Sequence, residues 1–317
     1  MQKTFINNVP LTVAFAVLAV FVATLIGSHS AHAAQATVNL GTAAPFAILS
    51  GTPNITDAGN ASVITGNVGL SPATGAGTGL NCSQVTGIIY SVDASGPLPC
   101  RVTNGPLLVT AKNNLTTAYN DAAGRTPLTT VPTELGGTTL VAGVYDSAST
   151  KFGISAGAGA LVLDGQNDPS SVFIFQAPFN GTGLNVNSAS TVTLINGAQA
   201  CNVFWRVDTA AIDTTANFVG TVLALNSISV ANGATINGRL LARNGNVTLI
   251  NDTITASVCA GNDTATGNGN TGSTTPVPGL PNTGILAGNY VLWGAISTLL
   301  VASGLLLALV AHKKRSF

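Results

Sequence analysis

Residues 218–249 read FVGTVLALNSISVANGATINGRLLARNGNVTL (Phe218 to Leu249), and this stretch decides the fold. Short alternating apolar runs return in it at a fixed interval. Ser227-Ile228-Ser229-Val230 is followed by Asn246-Val247-Thr248-Leu249, and the pattern extends back to Thr209-Ala210-Ala211-Ile212 and Thr191-Val192-Thr193-Leu194. The starting positions are 191, 209, 227 and 246, so the steps are 18, 18 and 19. A second series steps by 18 each time: Val203-Phe204-Trp205-Arg206, Thr221-Val222-Leu223-Ala224 and Arg239-Leu240-Leu241-Ala242. A third echo is Asn196, Thr214, Asn232 and Asn251. Alternation with period two is the mark of strands, and a fixed longer period is the mark of stacked coils. The expectation is a β-solenoid with about three short faces per coil, stacked at about 4.8 Å.

In that register Val192, Leu194, Ile212, Ile228, Val230, Val247 and Leu249 point inward. Thr191, Thr193, Thr209, Ala211, Ser227, Ser229, Asn246 and Thr248 then point outward from one face. Residues i and i+2 of a strand lie about 6.6–6.8 Å apart, so the face is a regular grid of hydroxyls, amides and methyls. Asn232 and Asn251 join it as candidates. The same Asn ladder also suits turn residues that satisfy backbone groups. An uncharged, regular grid fits a flat, repeating, uncharged ligand: an ordered water surface or a crystalline polysaccharide. Thr and Ser are also common on any exposed strand, because they fit the pleat.

One helix is expected, from Pro106 to about Ala123. Leu108, Ala111, Leu115, Ala118 and Ala122 fall three and four apart, Pro106 suits a first turn and Gly124 suits the stop. Residues 34–105 hold short apolar clusters between Gly, Thr and Asn, the pattern of short strands and tight turns.

Both ends carry targeting patterns. Lys3, an apolar run from Val9 to Ile26 and Ala31-His32-Ala33 read as a signal peptide over residues 1–33, cleaved after Ala33. Leu280-Pro281-Asn282-Thr283-Gly284, a mostly apolar stretch over residues 290–311 and Lys313-Lys314-Arg315 read as a cell-wall sorting signal over residues 280–317. The pentapeptide resembles a sortase substrate, which implies cleavage between Thr283 and Gly284 and attachment to the wall. A membrane span with a cytoplasmic basic tail is the simpler alternative. Residues 261–279, rich in Gly, Asn, Thr and Pro, read as a flexible linker. The working domain is then residues 34–260.

Composition excludes several chemistries. The three histidines are His29, His32 and His312, all in the end segments, so a Ser-His-Asp triad or a His-ligated metal site is not available to the domain. Setting aside Lys3, Lys313, Lys314 and Arg315 leaves seven basic against eleven acidic residues, a net charge near −4. Without a basic cluster, nucleic acid is not an expected partner. Glu134 is the single glutamate. Neither an enzyme nor a cofactor site is expected. A lyase or hydrolase on the solenoid would need a carboxylate pair, with Asp208 and Asp213 the residues to test. The four cysteines, Cys82, Cys100, Cys201 and Cys259, suit disulfides in an exported chain. Of the three possible connectivities, Cys82–Cys100 and Cys201–Cys259 are favoured; a zinc site lacks C-x-x-C spacing.

Several stretches resemble the DUF3494-type ice-binding proteins. They are LGTAAPFAILSG (Leu40 to Gly51), VITGNVGLSPAT (Val63 to Thr74), LTTAYNDAAGR (Leu115 to Arg125), ACNVFW (Ala200 to Trp205), residues 218–249 and NDTIT (Asn251 to Thr255). The resemblance implies a right-handed β-solenoid of roughly triangular section, coils out of sequence order and one long helix alongside. It implies ice as the ligand, bound on one flat face without a shared strict motif. Thr182-Gly183-Leu184-Asn185 and Thr78-Gly79-Leu80-Asn81 are similar to a T-G-x-N element on such faces. Arg206, Arg239 and Arg243 must lie on another face, since mobile charged chains would disorder surface water. The expected function is a surface-anchored ice-binding protein; the alternative is an adhesin of the same fold that binds a polysaccharide or another cell.

Overall fold

The computed structural model describes residues 35–260. The expected signal peptide, linker, sorting motif and apolar C-terminal stretch lie outside the described residues. Among the described residues no helix is long and apolar enough to cross a membrane. The fold is mostly β with one helix: short parallel strands stack into three ladders, the inner coils giving one strand to each, in a solenoid-like arrangement.

The first ladder runs, in spatial order, through Leu128–Val131, Gly143–Ser147, residues 173–177, 203–207, 221–224 and 239–242, then Phe46–Ser50, Asn67–Leu70, Ile89–Ser91 and Arg101–Thr103. Chain order and spatial order therefore differ. The first strand in chain order, Phe46–Ser50, lies in the middle of the stack, and the chain builds outward from it to Arg101–Thr103. It then crosses to the opposite end and builds back until residues 239–242 meet Phe46–Ser50.

The crossing is made by the helix, Gly105–Gly124. Twenty helical residues span about 30 Å, while ten strands span about 43 Å, so helix and flanking turns together cover the stack. Asn104 caps the start, its side chain accepting from the Leu107 amide at 3.1 Å, with Pro106 in the first turn. The predicted apolar positions Leu108, Ala111, Leu115, Ala118 and Ala122 are all buried, together with Tyr119. They pack on Phe46, Leu49, Ile174, Phe204, Leu223 and Leu241, the outward side chains of the first ladder. One of the three ladders is thus covered by protein.

Inside the coils the expected alternation holds for Val192, Ile212, Ile228, Val230, Val247 and Leu249, which are buried, while Leu194 is only partly buried against the core. The widest coils are filled by aromatic rings. Phe175 stacks on Trp205 at 3.9 Å and 9°, Tyr145 lies 5.4 Å beyond Phe175, and Phe218 5.4 Å beyond Trp205. The indole N–H donates to the Val219 carbonyl at 3.0 Å, so this buried donor is satisfied. Where residues 217–224 and 235–242 bend from the third ladder to the first, Gly220 pairs with Gly238. A Cβ on Gly238 would fall 1.9 Å from the Gly220 carbonyl oxygen, so only glycine fits there. The disulfides Cys82–Cys100 and Cys201–Cys259 are both formed, each with Cα atoms 5.4 Å apart.

Two register expectations need correction. Within the second series, Phe204 rather than Val203 pairs with Thr221, while Thr221 pairs with Arg239 as expected. The regular step of the first series also fails before Thr209. The partner of Thr209 is Thr182, well upstream of Thr191, because that coil carries a longer excursion through residues 187–202. The expected partner, Thr191, bridges instead to Asn217 in another ladder.

Candidate functional site

The second ladder comprises Phe152–Ile154, residues 182–186 and 209–212, Ile228–Val230, Val247–Leu249, Ile55–Asp57 and Thr78–Gly79. Seven strands at the inter-strand spacing make a face about 29 Å long. Its outward residues form two columns. One is Gly153, Asn185, Ala211, Ser229, Thr248, Thr56 and Gly79. The other is Thr182, Thr209, Ser227, Asn246 and Asn54, in the flanking register positions. Neither column contains a charge or a side chain larger than asparagine.

Several of these short side chains are tied to one another. Ser227 donates to Asn246 Oδ1 at 2.7 Å, Thr209 to Thr182 at 3.5 Å, and Ser229 to the Ala210 carbonyl at 3.4 Å. Such bonds hold hydroxyls and amides at fixed positions above the strands. The nearest charges belong to the rims. Lys151 lies over the Phe179 ring at 5.3 Å, and Asp208 accepts from the Gly181 amide at 2.6 Å and from Asn226 Nδ2 at 2.5 Å. Glu134, bridged to Gly153 at the end of the ladder, accepts from the Ser155 amide and hydroxyl.

The third ladder is also uncovered. It runs through Thr139–Val141, Leu161–Asp164 and Val192–Ile195, then residues 217–220 and 235–238, Thr253–Thr255, Val63–Thr65 and Val85–Thr86. Its outward residues mix Thr with Val, among them Val63, 53% exposed.

The ten residues expected on one face are therefore divided. Thr209, Ala211, Ser227, Ser229, Asn246 and Thr248 share the second ladder. Thr191 and Thr193 belong to the third, through pairing of Thr193 with Val162 and the bridge from Thr191 to Asn217, and are not part of that grid. Asn232 and Asn251 occupy the turn between the two ladders, where Asn251 Nδ2 donates to Asn232 Oδ1 at 2.8 Å and Asn251 has φ 54°. That is the turn role of an Asn ladder. Asn196, with φ 49°, follows Ile195 at the end of a third-ladder strand and is not in that stack.

The same turn is held from beneath by two buried carboxylates. Asp57 accepts from the Ser62 amide at 3.0 Å, Gln84 Nε2 at 2.6 Å and the Asn251 amide at 3.1 Å. Burial raises its pKa, but the amide bonds outweigh that and leave it below the usual value. Asp252 accepts from the Ala234 and Ile250 amides, yet burial pushes it up to about 6, with the charge of Asp57 adding to the rise.

Sequence reading missed Asn54 and Thr56 on this face because they come from the first coils; Gly79 was singled out only within Thr78-Gly79-Leu80-Asn81. A signal was present: Asn54-Ile55-Thr56 repeats Asn246-Val247-Thr248, and Thr56 pairs with Thr248. Arg206, Arg239 and Arg243 do belong to the helix-covered side. Arg239 donates to the Ala44 and Ser257 carbonyls at 2.7 and 2.6 Å, and Arg206 and Arg243 lie over the ring of Tyr119.

Known proteins share this arrangement. An ice-binding protein of Colwellia sp is 47% identical over 223 residues, 69% of this chain and 83% of the relative. One from Flavobacterium frigoris (strain PS1) is 43% identical over 222 residues, 69% and 76% of the two chains. Among solved structures, the DUF3494 domain of Shewanella frigidimarina ice-binding protein 1 superposes with a TM-score of 0.61 at 31% identity, covering 71% of this chain and 99% of that one. An ice-binding protein from an Antarctic biological consortium gives a TM-score of 0.58 at 34% identity, covering 71% and 93%. The ice-binding-like family model matches residues 48–255. With its three parallel ladders, its out-of-order coils and that match across most of its length, the chain belongs to the ice-binding-like family.

Proposed function

We propose that this protein binds ice through the outward face of the second ladder, and does so from the cell surface. The observation that carries the reading is a pair of uncharged columns, one across seven strands and the other across five, with no side chain larger than asparagine. Hydroxyls, amides and methyls repeat about 4.8 Å along the face and about 6.7 Å across it. A layer of water over them is held at regular points without being reorganised by a charge. Mutual hydrogen bonds fix the groups beforehand, so little ordering entropy is lost on contact. Both Thr-Gly-Leu-Asn segments belong to this ladder, near its opposite ends, and the relatives are named for binding ice. We take the three ladders to close into the right-handed, roughly triangular coil that the family resemblance implies.

The rest of the chain adds the location. The signal peptide exports the domain, and the LPNTG signal, acting through sortase, the wall or the membrane segment, keeps it at the envelope. Many tethered copies on one cell bind an ice surface by avidity even where each contact is weak. The test is thermal hysteresis and ice recrystallisation inhibition by the purified Ala34–Thr275 fragment with both disulfides intact. Activity at micromolar protein is expected; a folded fragment without activity would overturn the ice reading.

A further inference from the structure

The helix-covered side carries a group of cations that ice binding does not use. Lys112 and Tyr119 come from the helix, Arg206 from strand Val203–Ile212 and Arg243 from the turn after strand Thr235–Ala242. The guanidinium carbons of Arg206 and Arg243 lie 4.5 and 4.8 Å from the centre of the same Tyr119 ring. Lys112 Nζ donates to the Ala242 carbonyl at 2.6 Å, beside Arg243. Burial, with Arg243 adding to it, pushes this amine down to about 7.

None of these side chains is in a direct ion pair among the described residues. The single ion pair among the described residues joins Arg125 to Asp121, elsewhere on the helix. Asp208 carries a negative charge close enough to act on Tyr119, but its oxygens accept from the Gly181 amide and Asn226 and from none of the three basic side chains. Arg206 Nε is buried with no partner, and Arg243 gives Nε to the Thr116 hydroxyl at 3.2 Å. An otherwise acidic domain thus gathers three of its seven basic residues at one corner, none of them in an ion pair among the described residues.

We propose that this corner binds a compact, doubly charged oxyanion of the phosphate or sulfate class, held by Arg206, Arg243 and Lys112 at the rim of Tyr119. Two guanidinium groups flanking one ring can both reach a tetrahedral anion with charge-assisted bonds of about 2.7–2.9 Å. A planar guanidinium fork matches phosphate or sulfate oxygens bidentately, and an anion whose oxygens face several directions can be met by more than one such fork. The anion would tie the helix to the first ladder across the strands of three coils. The ice face lies on another ladder and is not involved.

The experiment is a calorimetric titration of the purified full chain with inorganic phosphate and, separately, sulfate, in chloride-matched ionic strength. Saturable one-to-one binding is expected, about tenfold weaker in Arg243→Gln and intermediate in Arg243→Lys, which keeps the charge but loses the fork. A phosphorus NMR line-width titration of the unsubstituted protein gives the same answer without variants. No saturable binding of either anion to the folded protein would overturn the proposal. So would binding unchanged in Arg243→Gln, which would move the anion elsewhere. A fall in melting temperature on substitution, without any anion effect in the parent, would reduce the cluster to a purely structural clamp.

Discussion

Ser229→Tyr is the sharpest test of the proposed face. Ser229 belongs to Ile228–Val230, the fourth of the seven strands, with three on either side. Its neighbours in the column are Ala211 and Thr248, both smaller than the introduced ring. Ice is flat and rigid, so a ring standing above the centre keeps a single crystal plane from touching both halves. The largest flat patch left is three strands, about 10 Å of the original 29 Å. Taking the two columns as roughly 300 Å², the intact face is worth at most about 7 kcal/mol at 25 cal/mol/Å². Cutting contact to a third removes more than half of that. Even if association costs reduce the realised part severalfold, the concentration for recrystallisation inhibition should rise at least about tenfold. The assay is the recrystallisation endpoint across a dilution series, with circular dichroism and melting to show that the variant folds. Asn237→Tyr, on an exposed position of the third ladder, is the control and should shift the endpoint less than about twofold. If Asn237→Tyr abolishes activity while folded Ser229→Tyr keeps it, the active face is the third ladder and the argument from the two columns is wrong.

Other outcomes follow from the core and the turns. Trp205→Ala removes a fully buried indole stacked on Phe175 and should cost about 3–5 kcal/mol, read from urea denaturation. Asp252, held up to about 6 in the fold, disfavours its own charge there, so it should make the protein more stable as pH falls from 7 towards 4; Asp57, held below its usual value, should reverse the trend below that. Urea midpoints against pH should show the rise in the parent and a flatter profile in Asp252→Asn. Replacing Cys201 and Cys259 by serine opens a 58-residue span and should cost about 4 kcal/mol, against about 3 for the 18-residue span of Cys82 and Cys100, compared by thermal melting.

How far the sequence was legible depends on how local each rule is. The helix depends on spacing within one turn, and Leu108 to Ala122 reported it correctly. The inward residues depend on alternation within one strand, and Ile228, Val230, Val247 and Leu249 reported those. The regular period held where coils are equal and failed at Thr191, because the longer coil from Thr182 to Thr209 shifts every earlier position to another ladder. No local signal announces a longer coil; it is set by the excursion through residues 187–202. The third limit is topological. Thr56 stands beside Thr248 because the first strand in chain order lies mid-stack, and adjacency between the first coils and the last leaves only a faint trace, the repeat of Asn-Ile-Thr as Asn-Val-Thr.

The bridge between Cys201 and Cys259 also has a mechanical meaning. Strand Thr253–Thr255 lies inside the third ladder, paired on one side with residues 235–237 and on the other with Val63–Thr65. A pull applied through residues beyond Ala260 would, without the bridge, unzip that strand from the middle of the stack and part the first coils from the last. With the bridge, the load reaches Cys259 and passes to Cys201, at the foot of strand Val203–Ile212. That strand is paired along both of its halves and filled by Trp205, so force is taken up in shear across many hydrogen bonds at once. On the proposed function the domain would be loaded through its tether, and the load would then meet a strand paired along its length on both sides.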